Sequence, residues 1–97
     1  MAYDPGAIDA TLAAAVGDDP QLIAELRLAF GESALRDFAA VEAAATQADW
    51  EAATGKLKSL AASFGAIRLM AAADAANRAP VGDAECLKRL RRVMPRG

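Results

Sequence analysis

The sequence predicts an all-α protein, and three observations lead to this fold class. Hydrophobic residues make up 55% of the 97 residues, yet aromatic residues make up only 5%, and much of the apolar content is alanine, the strongest helix former. Apolar residues recur at three- and four-residue steps, as on one face of a helix. Residues that favour strands are too few and too scattered to build a sheet. We therefore expect one helical domain over residues 1–97.

Two helix starts lie near the beginning of the chain. The Asp-Pro pair at residues 4–5 is typical of a helix opening. The apolar spacing of four that follows predicts a short amphipathic helix ending at Gly17, and it is carried by Ile8, Leu12 and Val16. The Asp-Asp-Pro sequence at residues 18–20 forms a second start, with acidic residues where the helix dipole favours them.

A long amphipathic helix is predicted from Pro20 to about Gln47. Its apolar stripe comprises Ile23, Leu26, Phe30, Ala34, Phe38, Val41 and Ala45, widened by Leu22, Leu28 and Leu35. Gly31 lies inside this run, where glycine costs about 1 kcal/mol relative to alanine. We expect one continuous helix, the alternative being a break into two shorter helices at Gly31.

Residues 49–66 predict the helix around which the rest of the chain is organised. One face is apolar and consists of Trp50, Ala53, Leu57, Leu60, Ala61 and Phe64. The opposite face is narrow, small and lightly basic, and it consists of Glu51, Ala52, Gly55, Lys58, Ser59 and Ala62. Asp49 is typical of an N-cap, and Gly65 of the residue that follows a last turn.

Two further helices are predicted after Gly65. The first reaches about Arg78 and buries Ile67, Leu69 or Met70, and Ala73. Pro80 prevents its continuation, and residues 81–83 predict a loop that ends in an N-cap. The last helix spans residues 84–94; its apolar side carries Leu87, Leu90 and Met94, and its basic residues are Lys88, Arg89, Arg91, Arg92 and Arg96.

Short loops favour antiparallel neighbours, so we expect a four-helix bundle with a small leading helix.

Charge is distributed unevenly along the chain. The formal net charge is −2, but residues 1–55 sum to −8 and residues 56–97 to +6. This polarity favours pairing of the two halves or attraction of an acidic partner to the basic half. The alternative is that solvated helix faces happen to segregate by sign.

The composition argues against several classes of site. The chain has no histidine and one cysteine, and its carboxylates lack ligand spacing on one helical face, so we expect no metal, no cofactor and no enzymatic activity. Cys86 is expected to be a small packed residue rather than a nucleophile. The N-terminus does not resemble a secretory signal, and no stretch reaches the roughly 18 apolar residues of a membrane span. We therefore expect a cytoplasmic protein.

The order of these features resembles histidine-containing phosphotransfer (HPt) domains, the four-helix carriers of bacterial phosphorelays. The resemblance covers residues 8–78, including Gly-Asp-Asp-Pro-Gln-Leu before a long helix and Ala-Asp-Trp-Glu-Ala before the Leu-Lys segment. Positions that match the family's signature helix are Trp50, Leu57, Lys58, Ala61, Ala62, Phe64, Gly65 and Ala66. Two positions depart from it: Gly55 stands where the family carries its phosphorylated histidine, and Ser59 where it has glycine.

Without that histidine, the resemblance implies docking rather than phosphate transfer. Glycine has no side-chain nucleophile, a phosphoester on Thr54 or Ser59 would be too inert to return its group, and Lys56 and Lys58 would be protonated. The expected partner is a response-regulator receiver domain or a histidine kinase. The resemblance places the docking face on Ala52, Gly55, Lys56, Lys58, Ser59, Ala62 and Ser63.

Four alternatives remain open at the level of sequence. The chain is an alanine-rich bundle unrelated to HPt domains, or an ordinary phosphotransfer carrier whose histidine has been replaced at Gly55, or the face is merely solvated, or the basic residues 88–92 bind nucleic acid. A sequence pI of about 5.0 and the lack of aromatic residues among those bases argue against the last alternative.

Overall fold

The computed structural model describes residues 5–17 and 19–95 of the chain. This part forms five α-helices without a strand, which confirms the predicted all-α class. The helices are α1 (Pro5–Val16), α2 (Pro20–Ala43), α3 (Gln47–Ser63), α4 (Ile67–Asn77) and α5 (Ala84–Val93). None of the helices in the described ranges has both the length and the apolar character needed to cross a membrane.

Helix α3 lies between α2 and α4 and packs against both, while α1 packs on α2 and α5 on α4. The α2 and α3 helices run antiparallel, because Phe30 faces Phe64 with ring centroids 4.9 Å apart and Asp37 lies beside Lys56. The α3 and α4 helices are also antiparallel, with Trp50 bonded to Ala76 near one end. The helix predicted to organise the chain therefore occupies the middle of the fold.

The core is built from apolar side chains of all five helices and the segments between them. Its buried members are Ile8, Leu12, Phe30, Ala34, Phe38, Val41, Trp50, Leu57, Ala61, Ala66, Leu69, Ala72, Ala73, Ala76, Leu90, Val93 and Met94. Alanines predominate along α4, which allows its backbone to approach α3 closely. The Trp50 Nε1–H donates a buried hydrogen bond of 2.7 Å to the Ala76 carbonyl, which fixes the position of α4 on α3.

Most predicted helix ends are confirmed. Asp19 caps α2 by accepting hydrogen bonds from the backbone N–H groups of Gln21 and Leu22. Helix α2 continues through Gly31 without a break. Helices α1 and α3 are followed by Gly17 and Gly65, whose positive φ angles of 80° and 70° belong to the left-handed region. The predicted opening at Asp4 lies outside the described residues.

The boundary between α2 and α3 differs from the prediction. Helix α2 ends at Ala43 rather than near Gln47, and the N-cap of α3 is Thr46 rather than Asp49. The Thr46 hydroxyl accepts the backbone N–H of Asp49 at 3.1 Å, so Asp49 lies within the first turn. Thr46 also has an extended backbone conformation, which a helical residue does not have.

Several apolar residues predicted to be buried are exposed. Leu22, Leu28 and Leu35 of α2 and Ile67 of α4 all lie on the surface, as does Ala45. Leu28 and Leu35 are seven residues apart and face away from α3, so no neighbouring helix covers them. Ile67 opens α4 and points outward, whereas Leu69 and Ala73 are buried as predicted.

Candidate docking surface on helix α3

The residues predicted to form the docking face share the outward side of α3. Ala52, Lys56, Lys58, Ser59, Ala62 and Ser63 are exposed, and Gly55 is half-buried among them. The helical spacing places Lys56 at the edge towards α2 and Lys58 at the edge towards α4. Small residues lie between these two lysines. The structure thus brings all seven residues onto one surface, called the α3 face below.

Gly55 has room for a Cβ atom. A Cβ atom at this position would meet only the Asn77 Nδ2 atom, at 3.7 Å, which is an ordinary van der Waals distance. The residue lies in regular helix, and its φ angle is not positive. Glycine is therefore required here neither by the backbone conformation nor by the packing.

The hydroxyl of Thr54 is not available as a phosphate acceptor. Thr54 is completely buried, and its hydroxyl donates a 2.8 Å hydrogen bond to the Trp50 carbonyl. It also accepts a 3.0 Å bond from Asn77 Nδ2, which donates in addition to the Glu51 carbonyl. Sequence reasoning placed Thr54 near the site but did not foresee that it serves the contact between α3 and α4.

At the edge of the α3 face towards α4, Lys58, Asp74 and Arg78 form a cluster of ion pairs. The Lys58 Nζ atom lies 2.9 Å from Asp74 Oδ1, and the other oxygen of Asp74 pairs with Arg78. The hydrogen bond from Lys58, followed by the nearby charges of Arg78 and Lys58, lowers the pKa of Asp74 below its usual value, although partial desolvation opposes the shift. The positive charge of Lys58 is therefore already matched by a carboxylate within the chain.

The edge towards α2 borders an open hollow of about 360 Å³. Its lining residues are Ser33, Arg36, Asp37, Lys56, Ser59, Leu60 and Ser63. The Lys56 Nζ atom is 3.7 Å from Asp37 Oδ1, and the Lys56 side chain is 76% exposed. The Arg36 guanidinium donates a 3.1 Å hydrogen bond to the Ser33 hydroxyl. This hollow, called the α2–α3 hollow below, is continuous with the α3 face.

Sequence reasoning missed the contribution of α2 to this surface. Ser33 and Arg36 lie on the polar side of a helix whose orientation relative to α3 was not known. Asp37 could have been recognised from the sequence, because it lies between Ala34 and Val41 on the buried side of α2, where a carboxylate interrupts the apolar stripe. A buried acid of this kind predicts a basic partner on a neighbouring helix.

The basic residues of α5 do not form a free cluster. Arg91 pairs with Glu42 of α2 at 2.9 Å, and its guanidinium lies 5.9 Å from the centre of the Phe38 ring. Arg91 therefore joins α5 to α2, while Lys88, Arg89 and Arg92 remain exposed. This division reduces the continuous positive surface that nucleic acid would need.

Cys86 lies half-buried in the first turn of α5. Burial raises the pKa of its thiol, and the neighbouring Asp83 carboxylate acts in the same direction. A thiol in this setting is a poor nucleophile. Within residues 5–17 and 19–95, no group of three histidine, cysteine or carboxylate side chains lies close enough to hold a metal ion.

Comparison with protein-family models, with curated proteins and with solved structures gives no match to this chain. The resemblance to HPt domains therefore remains an expectation from the order and spacing of residues 8–78 in the sequence.

Proposed function

We propose that this chain is an HPt-like protein of a two-component phosphorelay that docks a response-regulator receiver domain without carrying phosphate. The observation that carries the proposal is the α3 face, where Gly55 lies among small exposed residues between Lys56 and Lys58. The proposal includes a four-helix arrangement of α2 to α5 with α1 as a leading helix, and a cytoplasmic location.

The chemistry of the α3 face supports docking in two ways. Small side chains let a partner approach the helix backbone closely, which increases the area of contact. Lys56, whose Nζ atom is 3.7 Å from Asp37 and whose side chain is 76% exposed, attracts an acidic pocket such as that of a receiver domain, which raises the rate of association and favours one orientation. Bound in this position, the protein would sequester the receiver or alter its response.

The proposal is tested by titrating a panel of receiver domains, unmodified and carrying a phosphoryl mimic, into the protein in a calorimeter. We expect at least one receiver to bind. The Ala62→Glu variant introduces a negative charge in the α3 face and should weaken that binding at least tenfold, because like charges at an interface are strongly unfavourable. The matched control Ala24→Glu changes an exposed alanine of α2 that lies twelve residues before Arg36 and should bind normally.

Two results would contradict the proposal. Failure of every receiver to bind, with or without the phosphoryl mimic, removes the proposed partner. Equal weakening by Ala62→Glu and Ala24→Glu shows that binding does not use the α3 face.

The room for a Cβ atom at Gly55 supports a second candidate, an ordinary phosphotransfer carrier whose histidine has been replaced. Its test is the Gly55→His variant, incubated with a receiver carrying radiolabelled phosphate. Transfer of label to the variant, but not to the unaltered chain, supports the carrier as the parent function. If receivers bind the Gly55→His variant but transfer no labelled phosphate to it, the carrier function is excluded and docking remains the function of the surface.

A further inference from the structure

The two lysines of the α3 face differ in their surroundings, and this difference indicates where an acidic partner binds. Building on the proposed function, we infer that an acidic side chain of the protein partner enters the α2–α3 hollow and pairs with Arg36 and Lys56. Lys58 belongs instead to the contact between α3 and α4. The partner is therefore centred towards α2, and Arg36 is a docking residue that the α3 face alone does not include.

The cations of the α2–α3 hollow are incompletely matched within the chain. Arg36 donates one hydrogen bond to Ser33, and among the described residues no carboxylate forms an ion pair with it. Lys56 lies 3.7 Å from Asp37, beyond the roughly 2.7–2.9 Å of a charge-assisted hydrogen bond. Both side chains thus keep donors available for another carboxylate.

The opposite edge of the α3 face has no such capacity. Lys58 is bonded to Asp74 at 2.9 Å, and Asp74 also holds Arg78. An incoming carboxylate would have to displace Asp74 from both bases before it could pair with Lys58. The energetic gain of recruiting Lys58 is therefore small, since one ion pair replaces another.

The α2–α3 hollow has a composition that suits a carboxylate. The hollow has a net charge of +1, because two bases, Arg36 and Lys56, face one acid, Asp37. The Asp37 side chain is only 10% exposed, so the two bases dominate the outer part of the hollow. The guanidinium of Arg36 presents a planar set of donors that matches a carboxylate in a bidentate manner. The Ser33 hydroxyl, which accepts from Arg36, still has its own hydrogen to donate.

The first test uses a small probe and does not depend on any receiver domain. The isotope-labelled protein is titrated with the blocked peptide acetyl-Asp-Glu-Asp-amide, and separately with the neutral peptide acetyl-Asn-Gln-Asn-amide, while amide chemical shifts are recorded. We expect saturable changes at Ser33, Arg36 and Ser59 with the acidic peptide only. The Arg36→Gln variant should bind it about fivefold more weakly, and Lys58→Gln should bind it as the unaltered protein does.

Either of two outcomes overturns the inference: no saturable change in the hollow, or changes centred on Lys58 and Asp74. Arg36 is exposed, so Arg36→Gln should fold normally, and circular dichroism of both variants verifies this. Added salt should weaken binding of the acidic peptide, because the ion pairs that its carboxylates form with Arg36 and Lys56 are open to solvent.

The second test uses a receiver domain that binds the unaltered protein. Arg36→Gln should lower its affinity about fivefold, with Lys58→Gln within twofold of the unaltered chain. Equal losses in the two variants would overturn the inference while leaving receiver docking intact. Conversely, absence of any receiver binding would remove the proposed function, while the peptide titration would still decide whether the hollow recognises acidic groups.

Discussion

Gly55 is the one residue of the α3 face without a side chain, yet the fold does not require glycine there. Its backbone is helical, and an added Cβ would meet only one atom at an ordinary distance. Residue 55 therefore has no side chain, although the fold would accept a Cβ atom at this position. The sequence shows that residue 55 has no side chain, but only the coordinates show that a Cβ atom fits there.

A first prediction at the residue scale concerns stability. Gly55→Ala should raise the free energy of unfolding by about 0.5–1 kcal/mol, because alanine restricts the unfolded chain and favours helix. Urea denaturation measures the change. The control Gly17→Ala should act in the opposite direction by about 1 kcal/mol, since Gly17 has a φ of 80°. Destabilisation by Gly55→Ala would show that a methyl group at residue 55 disturbs the hydrogen bonds of Asn77 to Glu51 and Thr54.

A second prediction concerns Asp37, the acid of the α2–α3 hollow. Asp37→Asn raises the net charge of the hollow from +1 to +2 and frees Lys56. The acidic peptide should then bind several-fold more tightly, with the neutral peptide unaffected. The same chemical-shift titration provides the measurement. Weaker binding of the acidic peptide would mean that Asp37 is needed to orient Lys56 rather than competing for it.

At the scale of the helices, the limits of sequence-based prediction are clearest between α2 and α3. Ala43, Ala44 and Thr46 are all compatible with a continuing helix, so local propensity did not reveal the end of α2. The start of α3 is fixed partly by tertiary contacts: the Gln47 side chain donates to the Ala79 carbonyl and accepts the Val81 N–H at 3.1 and 2.7 Å. Residues 32 and 34 positions away cannot be recognised as partners from local sequence.

The identity of the α3 cap gives a prediction at this scale. Thr46→Ala should lower the free energy of unfolding by about 1 kcal/mol, because it removes the acceptor of the Asp49 N–H. Asp49→Ala should cost less, since Asp49 contributes only through the dipole of the first turn. Thermal and urea unfolding of both variants distinguish the two residues. A larger effect of Asp49→Ala would restore Asp49 as the principal cap.

At the scale of the whole molecule, the uneven charge distribution has a structural counterpart. The pairs Lys56–Asp37 and Arg91–Glu42 each join a base from residues 56–97 to an acid from residues 1–55. The amphipathic stripes predicted the helices and most of the core, because spacing alone determines one face of a helix. They could not predict that Leu28 and Leu35 remain exposed, since this depends on where neighbouring helices lie.

Acid should destabilise the whole molecule through Asp74. Its pKa is lower in the folded chain than in the unfolded one, chiefly because of the hydrogen bond from Lys58. The stabilisation is therefore complete above the ordinary aspartate pKa of about 3.9 and is lost as the pH falls through the lower folded value. The free energies of unfolding of the unaltered chain and of Asp74→Asn, measured by urea denaturation, should differ at neutral pH and converge as the pH falls below the ordinary aspartate pKa. If the difference in the free energy of unfolding between the two proteins is the same at low pH, Lys58 and Arg78 contribute little to stability through Asp74.

The buried indole of Trp50 also determines which optical signals this protein gives. It is the single tryptophan of the chain, it is fully buried, and it belongs to the side of α3 opposite the α3 face. Its fluorescence should therefore respond when α3 separates from α4 and water reaches the ring, but remain steady when a partner covers the other side. Intrinsic emission consequently monitors unfolding, whereas association has to be followed by another signal, such as heat or amide chemical shifts.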